Sequence, residues 1–384
     1  MKYFAEMMKG LKIMDLTDLR NEIDSIDEDI LKLFLKRMDV CRQVADYKRA
    51  HSLPVMQGGR EAQVIERIRE MSPDNIKDGS EVLFANIMDI SKSLQQIELA
   101  KTAEFPVPER FIPENAKLIA VPGTVGSYSE KACRKLFPNQ EIRFYREFSD
   151  VCRAVENGET DFGILPIQNS TAGTVDETYD LMGKFDFYIT SMIRVSISHC
   201  LAAKQDTDVS EITAVYSHEQ ALHQCSEFLR ESGLTTHEYA NTALSAELVK
   251  NSPEKLACIC SEDCAKLNGL KIIRSDIANA GRNSTRFICI SKKYMVSDDA
   301  DTVSVSLSIP HVKGSLYRLL SRFYVNGLNL RRIESKPIAG KDFEAVFYLD
   351  FDGNYGNVKT VSLIRELQRE LSFFKYMGNF KEIM

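Results

Sequence analysis

From Thr17 to Ala50 the chain runs without glycine or proline and places apolar residues at Leu19, Ile23, Ile26, Ile30, Leu33 and Phe34, the spacing of one face of an α-helix. Thr17 is the expected N-cap. At about 1.5 Å per residue this helix extends about 50 Å, more than a domain of about 90 residues covers with its own helices. Its apolar stripe therefore calls for a partner, and a second copy of the chain is the expected one. A length of 384 residues leaves room for two or three domains, each with its own core.

A formal charge of -6 argues against general affinity for nucleic acid, which needs a basic face. No stretch approaches the ~18 apolar residues of a membrane span, and Met1 to Lys12 lacks the apolar core of a secretion signal. A cytoplasmic protein without nucleic-acid or membrane partners is expected. Nine cysteines, an odd number scattered along the chain, read as reduced thiols. Cys258, Cys260 and Cys264 stand closest together, but their spacing matches no usual zinc pattern, so buried structural thiols and no metal are expected.

Within the long helix, Arg37 and Lys48 are eleven residues apart, about 20° in angle, and Cys41 lies on the same side. Arg20 sits about 25 Å from Arg37 along the axis and about a quarter-turn round, so one straight helix cannot bring both to one small ligand. An antiparallel partner helix could. Leu53-Pro54 breaks the helix; a second is expected near Arg60-Glu61 and a third from about Glu81, with Ser91 and Gln95 four residues apart on one side. For any single cation a solvated helix face is the alternative.

As a set, Leu19-Arg20, Lys36-Arg37, Tyr47-Lys48, Arg60-Glu61 and Ser91 with Gln95 resemble the all-α chorismate mutase family. That resemblance implies a pericyclic rearrangement of a dianion that needs no nucleophile, metal or cofactor, only a held conformer and charge stabilisation. It also implies roles. Arg20 from a partner, Arg37 and Arg60 would clamp carboxylates, Lys48 and Gln95 would address the ether oxygen, Glu61 would take the hydroxyl, and Ser91 would position a carboxylate. Gln57 stands where the family often has Asp, in a Gln57-Gly58-Gly59 loop.

Domain 13–101 is thus expected to be helical. Phe105-Pro106-Val107-Pro108 and Ile112-Pro113 read as a semi-stiff linker over 102–115. From 116 to 295 strands alternate with helices. Lys117 to Val121 feeds the glycine-rich turn Gly123 to Ser129, a natural anion site ahead of a helix from Glu130. Phe162 to Ile167 feeds Gln168-Asn169-Ser170-Thr171, with a helix from about Val175. Ala214-Val215-Tyr216 feeds Ser217-His218-Glu219-Gln220, and the helix beyond carries Gln224. Singly, each junction has a capping explanation, with Ser217 a cap and His218 a packed ring. Repetition points to a ligand at the carboxyl ends of strands in an open α/β sheet. Asn283-Ser284-Thr285-Arg286-Phe287 reads as a hydroxyl-rich turn entering a strand.

Gly123 to Ser129, Pro166 to Ser170, Tyr216-Ser217-His218 with Gln220 and Gln224, and Thr285-Arg286-Phe287 resemble the prephenate dehydratase family. That implies a two-lobed fold like the periplasmic solute-binding proteins, with Thr285 assisting the departing hydroxyl. Asn169, Ser217, His218 and Gln224 would hold the carboxylates and orient the ring, and Arg286 would support the turn. Gln168 stands where the family often has Glu.

Residues 302–384 follow the order βαββαβ, the ferredoxin-like pattern, with Ser304, Ser306 and Ser308 expected on a polar strand face. Gly314-Ser315-Leu316 and Glu334-Ser335-Lys336-Pro337 resemble the two effector motifs of the ACT domain family, which implies phenylalanine bound between subunits. Lys336 replaces an Arg there, and a planar fork is not reproduced by an ammonium. A stabilising lobe that binds nothing is the alternative. Together these resemblances imply a homodimeric or homotetrameric bifunctional enzyme acting on chorismate and prephenate. Its rivals are an arogenate dehydratase and a catalytically silent aromatic-acid sensor.

Overall fold

The computed structural model describes residues 15–51, 58–100, 107–279, 283–337 and 345–384. Met1 to Lys12, Leu53-Pro54, Gln57, Pro106 and Glu344 lie outside the described residues. One compact unit gathers the N-terminal helices with Val312–Gly327 and Val358–Glu366; a second gathers Phe105–His311, Leu328–Asn357 and Leu367–Met384.

The first helix, α1, spans Leu16–Ala50, 35 residues. Its N-cap is Asp15, because the Leu19 amide already bonds the Asp15 carbonyl and Thr17 falls inside the ladder. Leu19, Ile23, Ile26, Ile30 and Leu33 are 43% to 68% exposed. The stripe thus finds no cover among the described residues, and Met38 and Ala45 are the residues of α1 that are buried. Helices α2 (Gly58–Met71) and α3 (Lys77–Ala100) pack on each other, and α1 packs on α3. Helix α3 begins four residues before the expected Glu81, since Ser80 already bonds the Ile76 carbonyl.

The second unit begins with β1 (Glu109–Arg110), which pairs with residues 295–296, and Phe111 is buried in the core that follows. The expected linker therefore ends early: proline removes amide donors but leaves the intervening amides free to join a two-stranded sheet. Next come β2 (Leu118–Pro122), α4 (Tyr128–Leu136), β3 (Glu141–Tyr145), α5 (Phe148–Glu156), β4 (Phe162–Asn169), β5 (Gly173–Thr174), α6 (Asp176–Lys184) and β6 (Tyr188–Ile197). The chain then crosses at Ser198-His199 into a second sheet. That sheet is built from β7 (Cys200–Ala203), β8 (Ala214–Ser217), β9 (Thr236–Glu238), β10 (Leu256–Cys260) and β11 (Lys271–Arg274), with α7 (Glu219–Gln224), α8 (Ser226–Ser232), α9 (Thr242–Asn251) and α10 (Glu262–Leu267) interspersed. It returns in β12 (Asn283–Ser291) and ends this region with β13 (Met295–Val296).

Two sheets joined by two crossings make the expected two lobes. The larger has strand order β18-β6-β12-β4-β2-β3, with β5 on β4, and the smaller β11-β7-β10-β8-β9. Alternation explains the larger sheet's burial. Ile119, Val121, Ile164, Phe287 and Cys289 fill one core, and Ala120, Leu165, Ile167, Ile288 and Ile290 the other. Cys258, Cys260 and Cys264 are buried in the smaller lobe. Burial likewise pushes the thiols of Cys133, Cys152 and Cys225 up to about 12.

The last region follows β14 (Thr302–Ser308), α11 (Ser315–Asn326), β15 (Leu330–Pro337), β16 (Ala345–Asp352), α12 (Val358–Glu370) and β17 (Phe374–Phe380), with the sheet ordered β15-β16-β14-β17. Strand β14 is an inner strand, so Ser304 and Ser306 are buried as fully as Val303 and Val305, against the expected polar face. Small side chains make that second face closely approachable. A final strand, β18 (Glu382–Ile383), leaves this sheet and pairs with β6 of the larger one. Where β17 passes β6, Gly378 adopts φ +146°, and a Cβ there would run into the Ile189 carbonyl oxygen.

Two candidate active sites

In the helical unit, Arg37 and Ser91 meet. Arg37 donates to Ser91 Oγ at 2.6 Å and to the Ile87 carbonyl at 3.5 Å, and Ser91 donates to that same carbonyl at 2.8 Å. Gln95 lies one turn beyond Ser91 on α3, half-buried, and Lys48 is half-buried on α1. Arg20 and Arg60 are exposed. Glu61, in the first turn of α2, is held by Lys92 at 2.9 Å. Sequence reasoning missed Lys92, since it sits beside Ser91 with no motif of its own.

In the larger lobe, register does the positioning. Strands β12 and β4 run antiparallel with Thr285 opposite Asn169 and Arg286 opposite Gln168, followed by a bulge before Phe287. The expected turn at Asn283 to Arg286 is instead strand: Asn283 and Ser284 pair with Ile197 and Ser196 of β6. Residues two apart share a face, so Asn283 and Thr285 point together, a periodicity from which Asn283 was legible.

The polarity of the network is set by backbone. The Thr171 and Ala172 amides donate to Asn169 Oδ1 at 3.0 and 2.9 Å, which leaves Nδ2 to donate to Thr285 Oγ1 at 2.9 Å and Asn283 Oδ1 at 3.0 Å. Asn283 Nδ2 then donates to Gln224 Oε1 at 3.0 Å, and His199 Nε2 donates to the same oxygen at 3.0 Å. Each group dictates the next, so His199 carries its proton on Nε2 and leaves a buried, unpartnered Nδ1. Burial holds the His199 imidazole below its ordinary pKa, opposed by the bond to Gln224. His199 lies at the crossing between lobes, 25 residues from Gln224, and no local signal marks it.

Ser217 and His218 are not joined to this network. Ser217 is fully buried and donates to the Ile259 carbonyl at 2.7 Å, so it is not the cap. His218 is the N-cap of α7, its Nδ1 accepting from the Gln220 amide, and it is exposed. A side-chain acceptor is what an N-cap needs, and the imidazole supplies one. The glycine-rich turn is also occupied from within: Gly126 donates to the Glu130 carboxylate at 2.6 Å. Arg286 ties strands rather than a turn, donating to Gln168 Oε1 at 3.1 Å and to Glu382 of β18 at 2.9 Å, where Arg194 also pairs at 2.8 Å.

Of the expected effector residues, Gly314 is the N-cap of α11 at φ +83°, a left-handed position open to glycine. Ser315 and Leu316 form the first turn of α11. Glu334 and Ser335 lie on edge strand β15. Lys336 pairs with Asp176 and donates to Thr174 Oγ1 at 3.0 Å. Among the described residues no group of three or more His, Cys, Asp or Glu could hold a metal, and no helix is long and apolar enough to cross a membrane.

Residues 119–295 match the family model for prephenate dehydratase, and residues 19–96 that for chorismate mutase type II. A bifunctional chorismate mutase/prephenate dehydratase from Enterobacter agglomerans is 30% identical over 374 residues, 94% of this chain and 95% of that one. A chloroplastic arogenate dehydratase/prephenate dehydratase from Arabidopsis thaliana is 30% identical over 274 residues, 68% of this chain and 72% of its own. The crystal structure of prephenate dehydratase from Arthrobacter aurescens in complex with L-Phe is 25% identical, with a TM-score of 0.63, covering 69% of this chain and 89% of that one.

Proposed function

The chain belongs to the family of bifunctional chorismate mutase/prephenate dehydratases, and we propose how its residues divide the work. It is an enzyme with two activities: it rearranges chorismate to prephenate and converts prephenate to phenylpyruvate.

The second reaction breaks the ring C–O bond as the carboxylate leaves as carbon dioxide, and the departing hydroxide needs a proton donor. Thr285 takes that role. The observation carrying this is the bond from Asn169 Nδ2 to Thr285 Oγ1 at 2.9 Å: the threonine oxygen accepts, so its own hydrogen is left to point elsewhere. Among the described residues no protein acceptor takes it, which suits a hydroxyl meant for substrate. The Thr171 and Ala172 amides orient Asn169, which in turn fixes Asn283 and Gln224. His218, exposed at the head of α7, faces the substrate from the smaller lobe, and the buried Ser217, bonded to the Ile259 carbonyl, holds the strand end behind it. In the first reaction Arg37, Arg60 and the partner's Arg20 bind the carboxylates. Ser91 fixes Arg37, Lys48 and Gln95 address the ether oxygen, and Glu61 takes the hydroxyl. The exposed stripe of α1 supports a homodimer.

The C-terminal βαββαβ region is an ACT domain that senses phenylalanine, with Gly314, Ser315, Leu316, Glu334 and Ser335 as effector contacts. The relative described in complex with L-Phe supports this. Prephenate is preferred over arogenate because the chain matches a mutase model that generates prephenate; higher turnover of arogenate would reverse that choice. The test of the division of labour is Lys48→Ala beside Thr285→Ala, with both reactions assayed. The first variant is expected to lose only mutase activity and the second only dehydratase activity. Loss of both in either folded variant would refute it.

A further inference from the structure

Glu61 is the end of a chain of alternating charges. Lys92 Nζ lies 2.9 Å from Glu61 and 3.3 Å from Asp89, its neighbour one turn earlier on α3, and Arg318 of α11 lies 3.2 Å from Asp89. The Asp89 side chain is 3% exposed and the Lys92 side chain 10%. A buried carboxylate needs its cations, and Asp89 shares one of them, Lys92, with Glu61. Other polar ties hold α11 on α3 at this place: Asn86 Nδ2 donates to the Tyr317 hydroxyl at 2.9 Å, Ser93 Oγ to Asn326 Oδ1 at 3.0 Å, and Lys313 pairs with Asp78 at 2.9 Å.

We propose that Lys92 is a positioning residue of the mutase site, holding Glu61, and that Arg318 completes the site by occupying Asp89. The inference rests on the assignment of Glu61 to that site. With Arg318 in place, Asp89 Oδ1 has a second cation beside it and Lys92 can reach across to Glu61, while Asp89 Oδ2 stays buried without a hydrogen-bond partner. Without it, the compact, rotatable ammonium is drawn toward Asp89. The Glu61 carboxylate then stands unneutralised where a dianionic substrate must bind. That penalty falls on binding more than on the chemical step, so KM moves and kcat follows weakly. Arg318 is one turn into α11, three residues after Ser315, so the helix that carries one effector motif also finishes the mutase site.

The test uses the full-length chain and both assays. Arg318→Met is expected to raise the mutase KM for chorismate about fivefold, the scale of one partly exposed charge pair, with Arg318→Lys restoring most of it. The dehydratase KM should not move, and adding Arg318→Met to Lys92→Met should cost nothing further. An unchanged mutase KM in Arg318→Met, equal losses in both reactions, or additive effects in the double variant would overturn the proposal. Glu61→Gln separates the two levels. If it impairs the mutase while Arg318→Met does not, only this inference falls; if it leaves chorismate binding intact, the parent assignment falls and takes this inference with it.

Discussion

The substitution Asn169→Asp changes one atom's chemistry and reverses the network that aims Thr285. The introduced carboxylate would still accept from the Thr171 and Ala172 amides through one oxygen. Its other oxygen, an acceptor where the native amide donates, would face Asn283 Oδ1 at 3.0 Å and Thr285 Oγ1 at 2.9 Å. The threonine hydroxyl resolves its half by turning round to donate to that oxygen, which takes its hydrogen away from the substrate. Asn283 resolves the other half by flipping, which forces Gln224 to flip. His199 must then accept at Nε2 and carry its proton on Nδ1, a buried atom with no partner. Each repair moves the mismatch outward until it stops as an orphaned N–H. One orphaned buried donor costs about 1–3 kcal/mol, or a fall of about 2–12 °C in Tm for a region of this size. Loss of the aimed donor should cost dehydratase kcat about 10²- to 10⁴-fold, with mutase activity intact as internal control. Protonation of the new carboxyl group restores a donor, so residual activity should rise as pH falls. Steady-state rates of Asn169→Asp at neutral and acid pH, beside its thermal unfolding, test this. Neutral-pH activity within threefold of the native chain would show that the direction of these hydrogen bonds does not govern Thr285.

His199 predicts a pH dependence of stability. Its folded pKa lies below the ordinary value of about 6.5. Between the two values the unfolded chain binds a proton that the folded chain does not, so stability is lost as pH falls below about 6.5, at about 1.4 kcal/mol per unit, until the folded pKa is reached. His199→Gln should flatten that part of a Tm profile between about pH 7 and 5.5, and an unchanged slope would count against it. Ile23→Glu with Ile30→Glu places charges on the exposed stripe of α1, where both residues are more than half exposed; sedimentation should show dissociation, with mutase activity lost and dehydratase kept. Glu382→Gln leaves Arg194 and Arg286, cross-strand neighbours, facing each other without their shared carboxylate. About 1–2 kcal/mol of stability and a few-fold in dehydratase kcat should go, measured by denaturant unfolding and turnover.

The helices were legible because periodicity is local: α1 was readable from its apolar spacing, and the stripe that spacing defines is exposed in the fold. Asn169 and Thr285 were both named from sequence, but their contact depends on the register of β12 against β4 and a bulge beside it, which no local pattern encodes. The glycine-rich turn misled for a specific reason: Glu130 lies in the first turn of α4 and satisfies Gly126 itself. Ser217 and His218 exchanged roles because a histidine ring nitrogen caps as a hydroxyl would. Lys92 and Arg318 were beyond reach, since Asp89 and Arg318 are 229 residues apart and only tertiary packing makes them neighbours.

Gly378 has a bearing on how such a chain could have been assembled in evolution. At that residue the last strand of the C-terminal sheet lies so near β6 that no other side chain fits against the Ile189 carbonyl. A regulatory module hung on a tether can be lost, gained or exchanged between unrelated enzymes without repair. One joined backbone to backbone cannot: any recombination that imports a foreign lobe must bring a glycine to this spot, or carry the larger sheet along with it. The two are therefore expected to be inherited as a single piece.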